Sequence, residues 1–203
     1  MLIIDQALKI WVKTTFCLGE DRPLIGNLEW ARLTFVENPG MAFGIKFGGD
    51  LGKLALSLFR VVAIGFLIYY IIKLLKRNVS AGLLICFSLI LAGAIGNMLD
   101  SAFYGMIFSN STYDCGMGPA RLFPQNGGYA PFLHGQVVDM FYFPFWRNAQ
   151  HETVFFQHIF NIADASISIG VASLLLFQRH YFNDMSEKKV EKAKNTKGGE
   201  QAC

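Results

Sequence analysis

Phe160–Ile167 reads FNIADASI and places a carboxylate inside an apolar run. The run extends from Val154 to Phe177, long enough to cross a bilayer, which takes roughly 20 apolar residues. An aspartate at mid-membrane costs about 2.5–3.5 kcal/mol on insertion scales, so Asp164 needs a reason to be there. Asn161 lies three residues earlier and, within a helix, shares its face. The spacing recurs in a second apolar run, where Asn97 precedes Asp100 in GNMLD. A third acid, Asp139 of VVDM, lies between the two runs.

Composition agrees with a membrane setting. The chain has 203 residues, 53% of them hydrophobic and 16% charged, with a mean hydropathy of +0.36. Soluble domains carry about 25% charged residues. The chain therefore reads as an all-α integral membrane protein built as a single bundle. The formal net charge of +3 is small. Lys188, Lys189, Lys192, Lys194 and Lys197 lie in the polar segment 179–203, which reads as a charged, disordered tail. Nucleic acid is not a partner on this reading, because no basic, aromatic-interleaved patch is present.

The four cysteines, Cys17, Cys86, Cys115 and Cys203, are scattered without CxxC spacing. HETVFFQH, His151 to His158, does not have the HExxH spacing. No metal and no cofactor is expected. Cys86 reads as a small core residue, while Cys17 and Cys115 could meet in an oxidising compartment; the sequence leaves that pairing open.

Four spans are expected: 1–16, 56–75, 81–104 and 154–177. The first is too short to cross and reads as the second half of a helix completed upstream. Residues 17–55 are rich in turn formers around a short β-prone stretch, Leu33–Val36, and fit a small extramembrane sheet. Residues 105–153 form a long outer connection whose aromatics, such as Phe141, Phe143 and Phe145, suit a membrane interface. Lys73, Lys76 and Arg77 crowd the short 73–80 loop, whereas 105–153 holds only Arg121 and Arg147. The positive-inside bias puts that loop and the tail in the cytoplasm and the two long segments outside. Residues 1–178 then form one membrane domain with both termini inside.

This topology gathers the polar residues in one layer. Asp100 ends a helix running outward, Asp164 begins one running inward, and Asp139 precedes that inward helix in the outer connection. Asn38 and Gly40 of the first outer segment reach the same level. Capping accounts for an acid near a helix N-terminus such as Asp164, but not for Asp100 near a C-terminus. Two close carboxylates share a proton. One can then take a proton from water while the other protonates a leaving amine, which is aspartic peptide hydrolysis. No GxSxG nucleophile motif is present. The competing reading is a non-catalytic polytopic membrane binder or small transporter that uses the acids for ion contact.

Five ordered motifs carry a family resemblance: DQALK (Asp5–Lys9), ENPGMAF (Glu37–Phe43), GAIGNMLD (Gly93–Asp100), VVDM (Val137–Met140) and FNIADASI. Together they resemble the lipoprotein signal peptidases, or signal peptidase II, the membrane aspartic proteases of bacteria. The resemblance implies that Asp139 and Asp164 are the catalytic dyad. Asn38, Gly40, Asn97, Asp100 and Asn161 would hold the substrate or orient the acids. It implies prolipoprotein substrates cut before a diacylglyceryl cysteine. It also implies a small β-cradle beside the bundle, an inner-membrane location with the site near the outer face, membrane lipid as the surroundings, and a monomer. The chain departs from the pattern at Ser101, where the family carries Arg; Arg121 or Arg147 could supply that charge, and the sequence leaves open what replaces it. The connection from Asp100 to Asp139 is longer than the family's link and reads as an enlarged outer lobe containing Cys115.

Overall fold

The computed structural model describes residues 1–26, 28–39, 49–77, 79–147, 153–155 and 158–177; for 49–51, 146–147 and 153–155 it gives backbone only. Gly40 and the tail 179–203 lie outside the described residues. The helices are α1 (Leu2–Thr15), α2 (Gly49–Leu75), α3 (Ala81–Leu99), the short α4 (Gly105–Ile107) and α5 (Ile162–Phe177). Five strands complete the fold: β1 (Asp21–Pro23), β2 (Arg32–Asn38), β3 (Val137–Tyr142), β4 (Trp146–Arg147) and β5 (Thr153–Phe155). Two helical stretches, Gly52–Leu75 and Ala81–Ile107, are long and apolar enough to cross a membrane. The first turns Leu58, Phe59, Val62, Phe66 and Tyr69 outward, as a helix facing lipid does.

Helix α1 inverts the usual amphipathic pattern. Asp5, Lys9, Val12 and Lys13 are buried, while Ile3 is 84% and Ile4 63% exposed. Charged residues recurring at i, i+4 and i+8 thus make an inward stripe, and the apolar residues face outward. Lys13 pairs with Glu37 of β2 and ties α1 to the sheet.

Helix α3 is central and packs against α1, α2 and α5. Its approach to α5 is close because Gly93 lies against the Ala163 carbonyl, where a Cβ would overlap the oxygen. Small residues at such crossings let helix backbones meet in lipid. Beyond Leu99 the helix widens into a π turn, Asp100–Tyr104. The outer lobe docks on this widened turn: Gly135 N donates to the Ser101 carbonyl at 2.9 Å and Leu133 N to the Ala102 carbonyl at 3.3 Å. π turns frequently mark functional sites.

The sheet has order β1-β2-β3, antiparallel throughout, with Val36 opposite Asp139 and Asn38 opposite Val137. Both outer segments therefore build the cradle, rather than 17–55 alone. Val138 and Met140 join Val12, Phe16, Phe35, Tyr104 and Phe108 in a core between sheet and helix ends. Cys17 and Cys115 form a disulfide that staples the outer lobe to the chain leaving α1. The rings of Phe141, Phe143, Phe145 and Trp30 stack in a row with neighbouring centroids 5.8–6.4 Å apart.

Two expected boundaries differ. Helix α2 starts at Gly49 rather than at 56. The apolar run from Val154 is not continuous helix: Thr153–Phe155 is strand, Phe160 bridges Phe141, and α5 begins at Ile162. The cause is Asn161, whose side chain caps the helix there.

Candidate active site

Asn161 is the N-cap of α5. Its Oδ1 accepts from the Asp164 amide at 2.9 Å, and the Asp164 carboxylate accepts in return from the Asn161 amide at 3.4 Å. This is a reciprocal capping box with aspartate in the third position. Asn161 is therefore not on the same helical face as Asp164, as the spacing suggested, but just outside the helix. The carboxylate that looked misplaced in an apolar run stands on the first turn, where the helix dipole favours negative charge.

Asp139 is a strand residue of β3, not a loop acid, and is 4% exposed. The Asn161 side-chain amide reaches three acceptors, Asp139 Oδ1 at 2.6 Å, Asn97 Oδ1 at 3.1 Å and the Val138 carbonyl at 3.2 Å. Asn97 Nδ2 donates to Asp164 Oδ1 at 2.7 Å. Asn38, at the end of β2, hydrogen-bonds the Asp139 carboxylate. Two asparagines thus connect the two acids, and a third supports one of them. Burial pushes Asp139 up to about 7, with the neighbouring charge of Asp164 as the second cause; the bonds from Asn161 and Asn38 oppose the shift.

Asp100 serves another role. It lies 2.8 Å from Lys9 Nζ, and Lys9 lies 3.1 Å from Asp5; all three side chains are fully buried. Gln6 donates to Asp100 Oδ1 at 2.9 Å and the Val138 amide to Asp100 Oδ2 at 3.2 Å. No basic residue adjoins Asp100 in sequence, but α1 brings one across. Lys9 also donates to Asn97 Oδ1 at 2.9 Å, which leaves the Asn97 amide nitrogen for Asp164. Asp5 Oδ1 accepts from the Ala163 amide at 2.8 Å, so α1 also supports the start of α5.

Of the expected site residues, Asn38, Asn97, Asp100, Asp139, Asn161 and Asp164 come together in one network. Asp5, Gln6 and Lys9 belong to it and were absent from the expected set. Their signal was the spacing of Asp5, Lys9 and Lys13 on an apolar helix. At the Ser101 position a charge comes from α2, where Arg60 Nη1 donates to Ser101 Oγ at 2.8 Å; the Arg147 side chain lies outside the described residues. Among the described residues, Cys17, Glu20 and Cys115 form the one cluster with metal-like spacing, and its two sulfurs are joined in the disulfide.

Comparison with known proteins places these motifs in context. Residues 1–179 match the family model described as signal peptidase (SPase) II. A lipoprotein signal peptidase of Porphyromonas gingivalis is 50% identical over 188 residues, covering 87% of this chain and 78% of the relative. One from Amoebophilus asiaticus is 38% identical over 189 residues, covering 88% and 74%. A solved bacterial membrane enzyme superposes with a TM-score of 0.55 at 24% identity, covering 92% of this chain and 85% of its own, which supports the fold. With its family model spanning residues 1–179 and half of the 188 aligned positions identical in a curated relative, the chain belongs to the signal peptidase II family.

Proposed function

We propose that this protein is an aspartic endopeptidase that removes signal peptides from diacylglyceryl-modified prolipoproteins, cutting before the lipidated cysteine, with Asp139 and Asp164 as its dyad. The observation that carries the reading is the pairing of two acids through Asn161 and Asn97, one buried on a strand and one half-buried on a helix N-terminus. Asp139, pushed up to about 7, is the member suited to hold the shared proton. Asp164 is the carboxylate that takes a proton from the attacking water. Water adds to the scissile carbonyl, and the proton on Asp139 passes first to the developing oxyanion. Collapse of the tetrahedral intermediate sends a proton to the leaving amine, and the pair exchanges acid and base roles. Asn97 and Asn161 hold the acids in register.

The same reading gives four spans, with α1 and α5 as the two beyond those long enough by themselves. Both termini face the cytoplasm, where Lys73, Lys76 and Arg77 close α2. The site lies near the outer face of a bacterial inner membrane. The Cys17–Cys115 disulfide on the site side supports this orientation, since disulfides persist in oxidising compartments. Membrane lipid surrounds a monomer whose substrate is itself lipid-anchored.

The test is cleavage of a synthetic prolipoprotein peptide by purified protein in detergent. The diacylglyceryl-cysteine peptide is expected to be cut before the cysteine, and its unlipidated twin to be spared. Asp139→Asn and Asp164→Asn should each abolish cleavage while leaving the protein folded. Full activity in either variant would remove the dyad.

A further inference from the structure

Arg60 is a cation in an otherwise apolar stretch of α2. It lies one turn beyond Ser57, whose hydroxyl donates to the Leu133 carbonyl at 3.1 Å, so this face of α2 meets the protein. Arg60 Nη1 donates to Ser101 Oγ at 2.8 Å, and that hydroxyl donates to the Asn97 carbonyl at 3.1 Å. Asn97 is the residue whose side chain binds Asp164. The acids that attract Arg60 are Asp164 first, then Asp100 and Asp139.

A count of charges gives this contact a purpose. Asp5, Asp100, Asp139 and Asp164 bring four carboxylates to the site. Lys9 touches Asp5 and Asp100, and Lys13 is bonded to Glu37. A dyad sharing one proton keeps one negative charge with no ion pair among the described residues. In surroundings of low dielectric an uncompensated charge is costly. A guanidinium stays charged across the whole working pH range, as a fixed counter-charge must.

We propose that Arg60 is a positioning residue of the reaction: carried to Ser101 by α2, its guanidinium is the counter-charge that holds the Asp139–Asp164 pair in its singly protonated form. The inference rests on the dyad proposed above. Among the described residues, the groups of the network around that dyad are Asp5 and Lys9 from α1, Asp100 and Tyr104 from the π turn, Asn38 from β2 with the Lys13–Glu37 pair beside it, and Arg60 from α2. Among the described residues of this network, only Arg60 carries a permanent positive charge that is not already in an ion pair. Removing it makes each proton harder to lose from the pair, so the whole bell-shaped pH profile moves to higher pH. Loss of a merely structural contact lowers the bell without moving it.

The experiment measures kcat/KM against pH on the lipidated peptide for the wild type, Arg60→Gln, Arg60→Lys and the double variant Arg60→Ala/Ser101→Arg. Arg60→Gln is expected to move the bell upward by about one pH unit, the low end of the effect of a nearby opposite charge. Arg60→Lys should hold the wild-type position, and the double variant should bring the bell back by returning the charge from the π turn. A bell in Arg60→Gln that stays in place overturns the proposal. So does a bell in Arg60→Lys, or in the double variant, displaced by the full shift. If Arg60→Gln does not fold, the other two variants decide by position alone. A wild type that leaves the peptide uncut refutes the proposed function instead, so the two failures are distinct.

Discussion

The Asn161 side chain joins both acids of the proposed dyad: its amide nitrogen lies 2.6 Å from Asp139 Oδ1, and its carbonyl oxygen accepts from the Asp164 amide at 2.9 Å. One residue thus ends the extended chain, starts α5 and spaces the carboxylates. Asp139 arrives on a strand and Asp164 on a helix, and Asn161 is where the two geometries are matched.

Replacing Asn161 should therefore affect stability and catalysis separately. Asn161→Ala loses an N-cap, which costs about 0.5–2 kcal/mol. It also leaves Asp139 without one of its hydrogen bonds. Asn161→Ser keeps a cap but not the amide nitrogen, so it should recover most of the melting temperature and little of kcat. Thermal unfolding in detergent beside the cleavage assay checks this. Recovery of both by serine would show that Asn161 acts through the helix alone.

Asp139 makes stability depend on pH with a definite sign. Its carboxyl is pushed from the ordinary 3.8 up to about 7. The folded state then holds a proton that the unfolded chain releases, so the contribution is full below the lower value and is lost as pH rises through the higher one. The melting temperature should fall between about pH 4 and pH 7, and Asp139→Asn should flatten that slope. Activity should decline above about 7 as the proposed dyad loses its shared proton. A slope unchanged in Asp139→Asn would assign the titration to another group.

What the sequence disclosed and what it hid follow from the range of each interaction. The long apolar segments and the Asn-x-x-Asp pairs are local patterns; α3 starts where hydropathy puts it, and α2 ends where it does but begins earlier, at Gly49. The start of α5 was misplaced because Val154 and Phe155 are as apolar as the helix that follows; only the Asn161 cap, a polar residue in an apolar run, marked the true boundary. Asp139 looked like a loop acid because its strand partner is Val36, far away in the chain. The π turn at Asp100–Tyr104 has no composition of its own. Lys9 and Arg60 were hidden for the same reason as each other: their partners Asp100 and Ser101 lie on another helix, and no spacing rule crosses helices.

The disulfide should be a local staple with a global readout. Cys17 and Cys115 are 98 residues apart, and bridges closing loops of that size contribute roughly 2–5 kcal/mol. Reductant should lower the melting temperature and open the outer lobe to protease, with Cys17→Ser, Cys115→Ser and the double variant equivalent to one another. Additive losses in the double variant, or a reduced protein as stable as the oxidised one, would contradict the pairing.

Lys9 separates support of the fold from support of the chemistry. Lys9→Met leaves Asp5 and Asp100 buried without their shared cation, and breaking a buried pair by removing one partner costs about 3–5 kcal/mol. Asp100→Asn in the same chain removes one of the stranded charges, so the double variant should regain part of that loss, with a favourable coupling between the two changes in a double-mutant cycle. Activity should not return with it. Lys9 also donates to Asn97 Oδ1, and that bond fixes which end of the Asn97 amide faces Asp164. Without the ammonium the amide can turn its oxygen toward the carboxylate, which repels it. The double variant is thus expected to melt closer to the wild type and still cleave at least ten-fold more slowly, on the order of 1.4 kcal/mol in the barrier. If kcat recovers in step with the melting temperature, Lys9 serves the fold alone, and Asn97 takes its orientation from Asn161.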